Sequence, residues 1–144
     1  MKKILTIILA LMMMPAMADA QIKITGKRNV QTLMSIRMGM IDLDYDGKYY
    51  LAMRTSNQFD DTMILPLGGD KQVAMQTLQD LIDIATSLKK GDSIKIESAY
   101  GREFRIYRLA KNAVGIYADG YAGYASTSKA ELTRLLDCVM FDVR

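Results

Sequence analysis

GGDKQVAMQTLQDLIDIATSLKKG, residues 68–91, decides the fold, because it places one long helix in the middle of a strand-patterned chain. Ala74, Leu78, Leu81, Ile82, Ala85 and Leu88 recur at three- and four-residue steps, which gathers them into one apolar stripe on a helix. Asp70 is suited to cap the first turn. Lys89 and Lys90 suit the negative end of the helix dipole, and Gly91 suits its termination.

On the N-terminal side of this helix the chain alternates apolar and polar residues, as strands do. Four extended segments are expected there: Gln21 to Thr25, Thr32 to Leu43, Lys48 to Thr55, and Asp61 to Leu67. In the second, Met34, Ile36, Met38 and Met40 share one face until the phase slips at Gly39 to Ile41 and Leu43. A glycine inside a strand pattern marks a bulge or bend. Pro66 and Gly68-Gly69 close the fourth.

On the C-terminal side the same order returns. Strands are expected at Ser93 to Ser98, Arg102 to Leu109, Ala113 to Ala118, and Tyr121 to Ser126. Ser128-Lys129-Ala130-Glu131 then opens a second helix as a capping box, and Leu132, Leu135, Leu136 and Val139 form its apolar stripe. The expected class is α+β: two pseudo-repeats, about 21–91 and 92–144, each of four antiparallel strands followed by one helix packed on the sheets. Together they make a single domain over residues 21–144. The halves share pattern and not sequence. This order of elements resembles that of the Whirly type of single-strand-binding fold. The resemblance covers most of residues 21–144, carries no motif, and implies a fold without implying a function.

Cross-strand pairing tests each turn. A three-residue loop at Tyr45-Asp46-Gly47 sets Asp44 against Lys48, Leu43 against Tyr49 and Ile41 against Leu51, so like faces meet. A three-residue loop at Ala99-Tyr100-Gly101 sets Ile96 against Phe104 and Ile94 against Ile106. A two-residue turn at Asp119-Gly120 would lay the Tyr124 ring over the bare backbone of Gly115.

Residues 1–20 read as a cleaved signal peptide. Lys2 and Lys3 begin it, the 11 residues from Ile4 to Met14 are apolar except for Thr6, and Pro15 ends the run. Small-x-small sites at Ala16-Met17-Ala18 and Ala18-Asp19-Ala20 allow cleavage after Ala18 or Ala20. A membrane span needs roughly 20 apolar residues, so an anchor is the poorer reading. The expected location is the periplasm or the medium, with no membrane span in the mature chain. Cleavage after Ala20 leaves 17 basic and 15 acidic side chains, a net charge of +2. That is too weak to suggest nucleic acid or an anionic membrane.

The chain has no histidine, which excludes Ser-His and Cys-His nucleophiles and the commonest zinc ligand. Cys138 is its one cysteine, so no intramolecular disulfide can form. A buried inert thiol is expected, with an intermolecular bridge as the alternative.

Asp42-Leu43-Asp44-Tyr45-Asp46-Gly47 matches the opening of a calcium loop. Its twelfth position is Met53 where a bidentate glutamate belongs, and its flanks read as strands. Asp42, Asp44 and Asp46 are therefore a weak metal alternative to an acidic hairpin tip. Gly68-Gly69-Asp70 has the look of a phosphate cradle, yet Asp70 would repel the anion. Met34, Met38 and Met40 could bind cuprous ion, but their strand face suits packing better. No cofactor is implied.

The stretch from Tyr100 to Tyr124 interleaves arginines and tyrosines on strands, a composition that stacks sugar rings or bases. Arg105, Tyr107, Tyr117, Tyr121 and Tyr124 are the candidate binding residues, against the plainer reading of an amphipathic sheet face. These observations together suggest an exported, non-enzymatic binding or structural module acting through a sheet surface or edge strand. Its partner would be a protein, peptide or glycan, or a second copy in a homodimer formed through the Gln21–Thr25 strand. The alternative is a small exported enzyme acting on cell-envelope glycan or peptide. It would use tyrosine or carboxylates such as Asp60-Asp61 or Asp80 and Asp83.

Overall fold

The computed structural model describes residues 29–143. The chain forms two four-stranded antiparallel sheets, each followed by a helix, as the sequence pattern predicts. The first sheet has the order β1 (Gln31–Ile36), β2 (Ile41–Tyr45), β3 (Tyr49–Met53) and β4 (Met63–Gly68), and α1 (Lys71–Ser87) follows it. The second has the order β5 (Ser93–Glu97), β6 (Glu103–Ala110), β7 (Ala113–Tyr117) and β8 (Ala125–Ser128), and α2 (Lys129–Met140) completes the pair.

The first sheet reaches four strands by a different route from the one expected. Gln21–Thr25 lies outside the described residues, and the segment from Thr32 to Leu43 is two strands instead of one. Arg37, Met38 and Gly39 all take positive φ (49°, 55° and 88°), so the chain reverses there and pairs Ile36 with Ile41. Only glycine adopts this region without cost. Met38 consequently stands fully exposed at the tip and does not share the core face with Ile36.

Register also differs at two of the three turns. The first loop does have three residues, but they are Asp46, Gly47 and Lys48. Tyr45 pairs with Tyr49, Leu43 with Leu51, and Ile41 with Met53. The Tyr45 and Tyr49 rings meet at 4.8 Å between centroids, so an aromatic pair closes the ladder where an Asp44–Lys48 pair was expected. In the second sheet Ile96 pairs with Phe104 and Ile94 with Ile106, as predicted. The connection between β7 and β8 is longer than a two-residue turn, so β8 starts at Ala125 and Ser126 faces Gly115. The ring that covers Gly115 belongs to Tyr107, its partner on β6. A Cβ on Gly115 would lie 2.6 Å from the Tyr107 ring.

Both helices are capped as their sequences suggest. The Asp70 carboxylate accepts from the Val73 amide at 2.8 Å, and the Ser128 hydroxyl accepts from the Glu131 amide at 3.2 Å. The Glu131 carboxylate does not complete the capping box; it accepts instead from Arg37 Nε at 2.8 Å. α1 ends at Ser87, and Lys89, Lys90 and Gly91 form the turn after it.

The two helices pack on each other and on the sheets, and a single apolar core joins the halves. Leu43, Leu51, Met53, Met63 and Leu65 enter it from the first sheet. Phe104, Ile106 and Ile116 enter it from the second, with Leu78, Leu132 and Leu135 from the helices. Burying such side chains contributes about 1.5–3 kcal/mol each, before the opposing chain entropy. Polar links also cross between the halves. Tyr49 donates its hydroxyl proton to Asp142, and Lys71 Nζ donates to the Asp142 carbonyl. Among the described residues no helix is long and apolar enough to cross a membrane.

Candidate surface on the second sheet

β6 and β7 are the two central strands of the second sheet, so their backbone groups are paired on both sides. What they offer outward is side chains. One cross-strand row holds Lys95, Arg105 and Tyr117, and the next holds Ser93, Tyr107, Gly115 and Ser126. Lys95, Arg105 and Tyr117 are exposed, as is Glu103 at the end of β6.

Three of the four predicted tyrosines converge here. The Tyr107 and Tyr117 rings stack with centroids 5.1 Å apart and planes inclined by 22°. Tyr124 meets both edge-on, at 5.9 and 5.8 Å. Alternation explains the stack, because Tyr107 and Tyr117 occupy diagonal positions on one face. The missing side chain at Gly115 leaves the space that the end of the Tyr107 side chain occupies. Burial is the main cause that pushes the Tyr107 hydroxyl far above its ordinary pKa, with the Tyr117 hydroxyl and the Tyr117 and Tyr124 charges adding to it. Tyr107 therefore stays a neutral donor throughout the working range.

Arg105 stands directly across from Tyr117. Tyr121 does not join the cluster. Its hydroxyl donates to the Thr62 carbonyl at 3.1 Å, and its ring lies 5.5 Å beneath the Arg102 guanidinium. It reaches the site from the side instead, as one wall of a groove of about 440 Å³ between the end of the β6–β7 hairpin and the turn at residues 118–121. Lys95, Glu103, Arg105, Tyr117 and Asp119 line the same groove, together with the buried Phe104 and Ala118. The sequence reading missed Lys95, Glu103 and Asp119 as members. The alternation about Ile94 and Ile96 carries the signal for Lys95, while Asp119 depends on a turn whose length the pattern did not give.

The other candidates are accounted for separately. Asp42 accepts from the Ser35 hydroxyl and Asp44 from the Thr32 hydroxyl, both along the outer side of the first sheet. Asp46 accepts from the Lys48 amide in the turn. Among the described residues no three acidic or cysteine side chains converge in a way that could hold a metal ion. Met34 and Met40 are half-buried, and only Met38 is fully exposed. Asp70 is engaged as a cap, and Val73 fills the space against Gly68. Asp80 and Asp83 are exposed on α1, where each accepts from a glutamine one turn earlier.

Asp60 has a structural task that the sequence did not announce. Its carboxylate accepts from the Thr55 hydroxyl at 2.6 Å, the Ala122 amide at 3.0 Å and the Gly123 amide at 2.8 Å. These bonds, the Thr55 hydroxyl foremost, hold its pKa below the ordinary value. The Ser56 amide donates to the Tyr124 carbonyl beside them, so this loop positions the strand entry that carries Tyr124.

A second groove, about 530 Å³, runs between β1 and the end of α2 and is lined by Leu33, Met34, Cys138 and Phe141 among others. Cys138 is half-buried there with its thiol 3.7 Å from the Leu33 carbonyl, and burial raises its pKa.

No family model, curated protein or solved structure was found to match this chain.

Proposed function

We propose that this is an exported, non-enzymatic binding module that recognises a glycan on the outer face of its second sheet. The observation that carries the reading is the cluster of Tyr107, Tyr117 and Tyr124, with all three rings within 6 Å of one another and Arg105 opposite Tyr117. Aromatic faces stack on the apolar faces of sugar rings, and guanidinium groups donate to hydroxyls beside them. Tyr107 and Tyr124 hold Tyr117 in place. Little side-chain freedom then remains to be lost on binding, which favours affinity. Because β6 and β7 are central strands, a ligand here meets side chains and not a free edge.

The enzyme alternative lacks comparable support. Asp60 is tied to backbone amides, and Asp80 and Asp83 lie on an exposed helix face.

Export rests on the N-terminal pattern of Lys2, Lys3, the apolar run and the small-residue sites. Protein recovered from the periplasm or medium should begin at Asp19 or Gln21. An uncleaved product that stays in the cytosol would contradict it.

Electrophoresis of the mature chain through gels containing polysaccharides tests the binding role. Retardation by at least one polysaccharide is expected, and Tyr117→Ala should abolish it. No retardation by any of them, or an unchanged shift for the variant, would sink the reading.

A further inference from the structure

The groove beside Tyr117 carries four charged side chains whose signs cancel. Lys95 and Arg105 are cationic, and Glu103 and Asp119 are anionic. Lys95 and Arg105 lie directly opposite each other on neighbouring strands. Like charges in that position are unfavourable. Among the described residues, none of the four forms a hydrogen bond or an ion pair, although opposite signs share the same groove. Donors and acceptors thus stand side by side, all available to a ligand.

Building on the proposed glycan-binding role, we infer that the groove takes an uncharged, polyhydroxylated sugar ring, a unit of a neutral glycan. Its apolar face would stack on Tyr117. Its hydroxyls would accept from Arg105 and Lys95 and donate to Glu103 and Asp119. A hydroxyl both donates and accepts, so neighbouring hydroxyls satisfy guanidinium and carboxylate together. The attraction of an anionic sugar to Lys95 and Arg105 is offset by Glu103 and Asp119, and that of a cationic sugar to the two acids is offset by the two bases, so the groove favours neither charge. The groove's volume suits a small ligand or part of a chain, since such sites run from about 300 Å³ upward.

Calorimetric titration of the mature chain with three sets of probes tests this. The sets are neutral oligosaccharides (gluco-, manno-, galacto- and xylo-series), oligogalacturonate as the anion, and chitosan oligomers as the cation. At least one neutral probe should bind about tenfold or more tighter than either charged probe. Arg105→Gln should weaken that neutral probe by about tenfold. The double variant Glu103→Gln/Asp119→Asn, which leaves the groove net positive, should gain affinity for oligogalacturonate. These positions are exposed, and unchanged thermal melts would show that the variants fold. If a charged probe binds best, or the double variant gains nothing, the neutral-sugar inference is overturned while the glycan-binding role stands. If no saccharide of any charge binds, the role falls with it.

Discussion

The carboxylate of Asp60, in the first half of the chain, accepts a hydrogen bond from the Gly123 amide in the second at 2.8 Å. The contact is close because Gly123 has no side chain: a Cβ there would lie 2.5 Å from the Asn57 amide nitrogen and 2.6 Å from the Ser56 hydroxyl. Two loops far apart in sequence are thereby pinned where the chain approaches Tyr124.

This bond sets a pH dependence. The folded-state pKa of Asp60 is lowered by the Thr55 hydroxyl first, and then by the Ala122 and Gly123 amides. A carboxyl depressed in the folded state contributes stability that is complete above its unfolded value and disappears as pH falls through its folded value. The melting temperature should therefore fall on acidification below the ordinary carboxylate range. Asp60→Asn should be less stable at neutral pH and show a shallower acid slope. Parallel slopes for the two proteins would remove Asp60 from this role.

Gly115→Ala tests how the tyrosine cluster is held. The added methyl would sit 2.6 to 2.8 Å from atoms of the Tyr107 side chain, so that ring must shift and its stack with Tyr117 must change. Overpacking of this kind costs about 1–3 kcal/mol. The expected result is a lower unfolding free energy together with a changed near-ultraviolet tyrosine dichroism. A normal dichroism spectrum would mean that the cluster does not depend on the bare glycine.

Cys138 should behave as a slow, partly shielded thiol. Its raised pKa comes from burial first and from the Asp142 charge second, so the reactive thiolate is scarce at neutral pH. Labelling by a disulfide reagent should accelerate at least about tenfold on denaturation, and non-reducing gels should show no linked dimer. Rapid labelling of the folded protein, or a dimer that reductant dissolves, would point instead to a role in partner linkage.

How far the sequence revealed the fold follows from where the signals lie. α1 was readable because its stripe and the Asp70 cap are local. The β5–β6 register was readable because only one loop length places Ile94 and Ile96 against Ile106 and Phe104. The β2–β3 register was not, since a slip of two residues leaves every side chain on its own face. Alternation cannot separate the two choices, and the Tyr45–Tyr49 ring pair decides between them. The reversal at Arg37–Met38 stayed hidden because two non-glycine residues take left-handed conformations there.

The candidate surface divides along the same line. Arg105, Tyr107 and Tyr117 sit on paired strands, so alternation placed them on one face. Tyr121 and Asp119 belong to the loop after β7, whose length no periodicity encodes. Asp60 was legible only as one of a pair of acids; its bracing role was hidden because two of its partners are backbone amides 62 and 63 residues away, which leave no mark on composition.

The most direct test of the central claim is a map of backbone amide shifts as neutral oligosaccharides are titrated into the nitrogen-labelled mature chain. Shifts are predicted at Lys95, Glu103, Arg105, Tyr117 and Asp119, with the first sheet quiet. Shifts gathered instead around Leu33 and Phe141, or none at millimolar ligand, would contradict it.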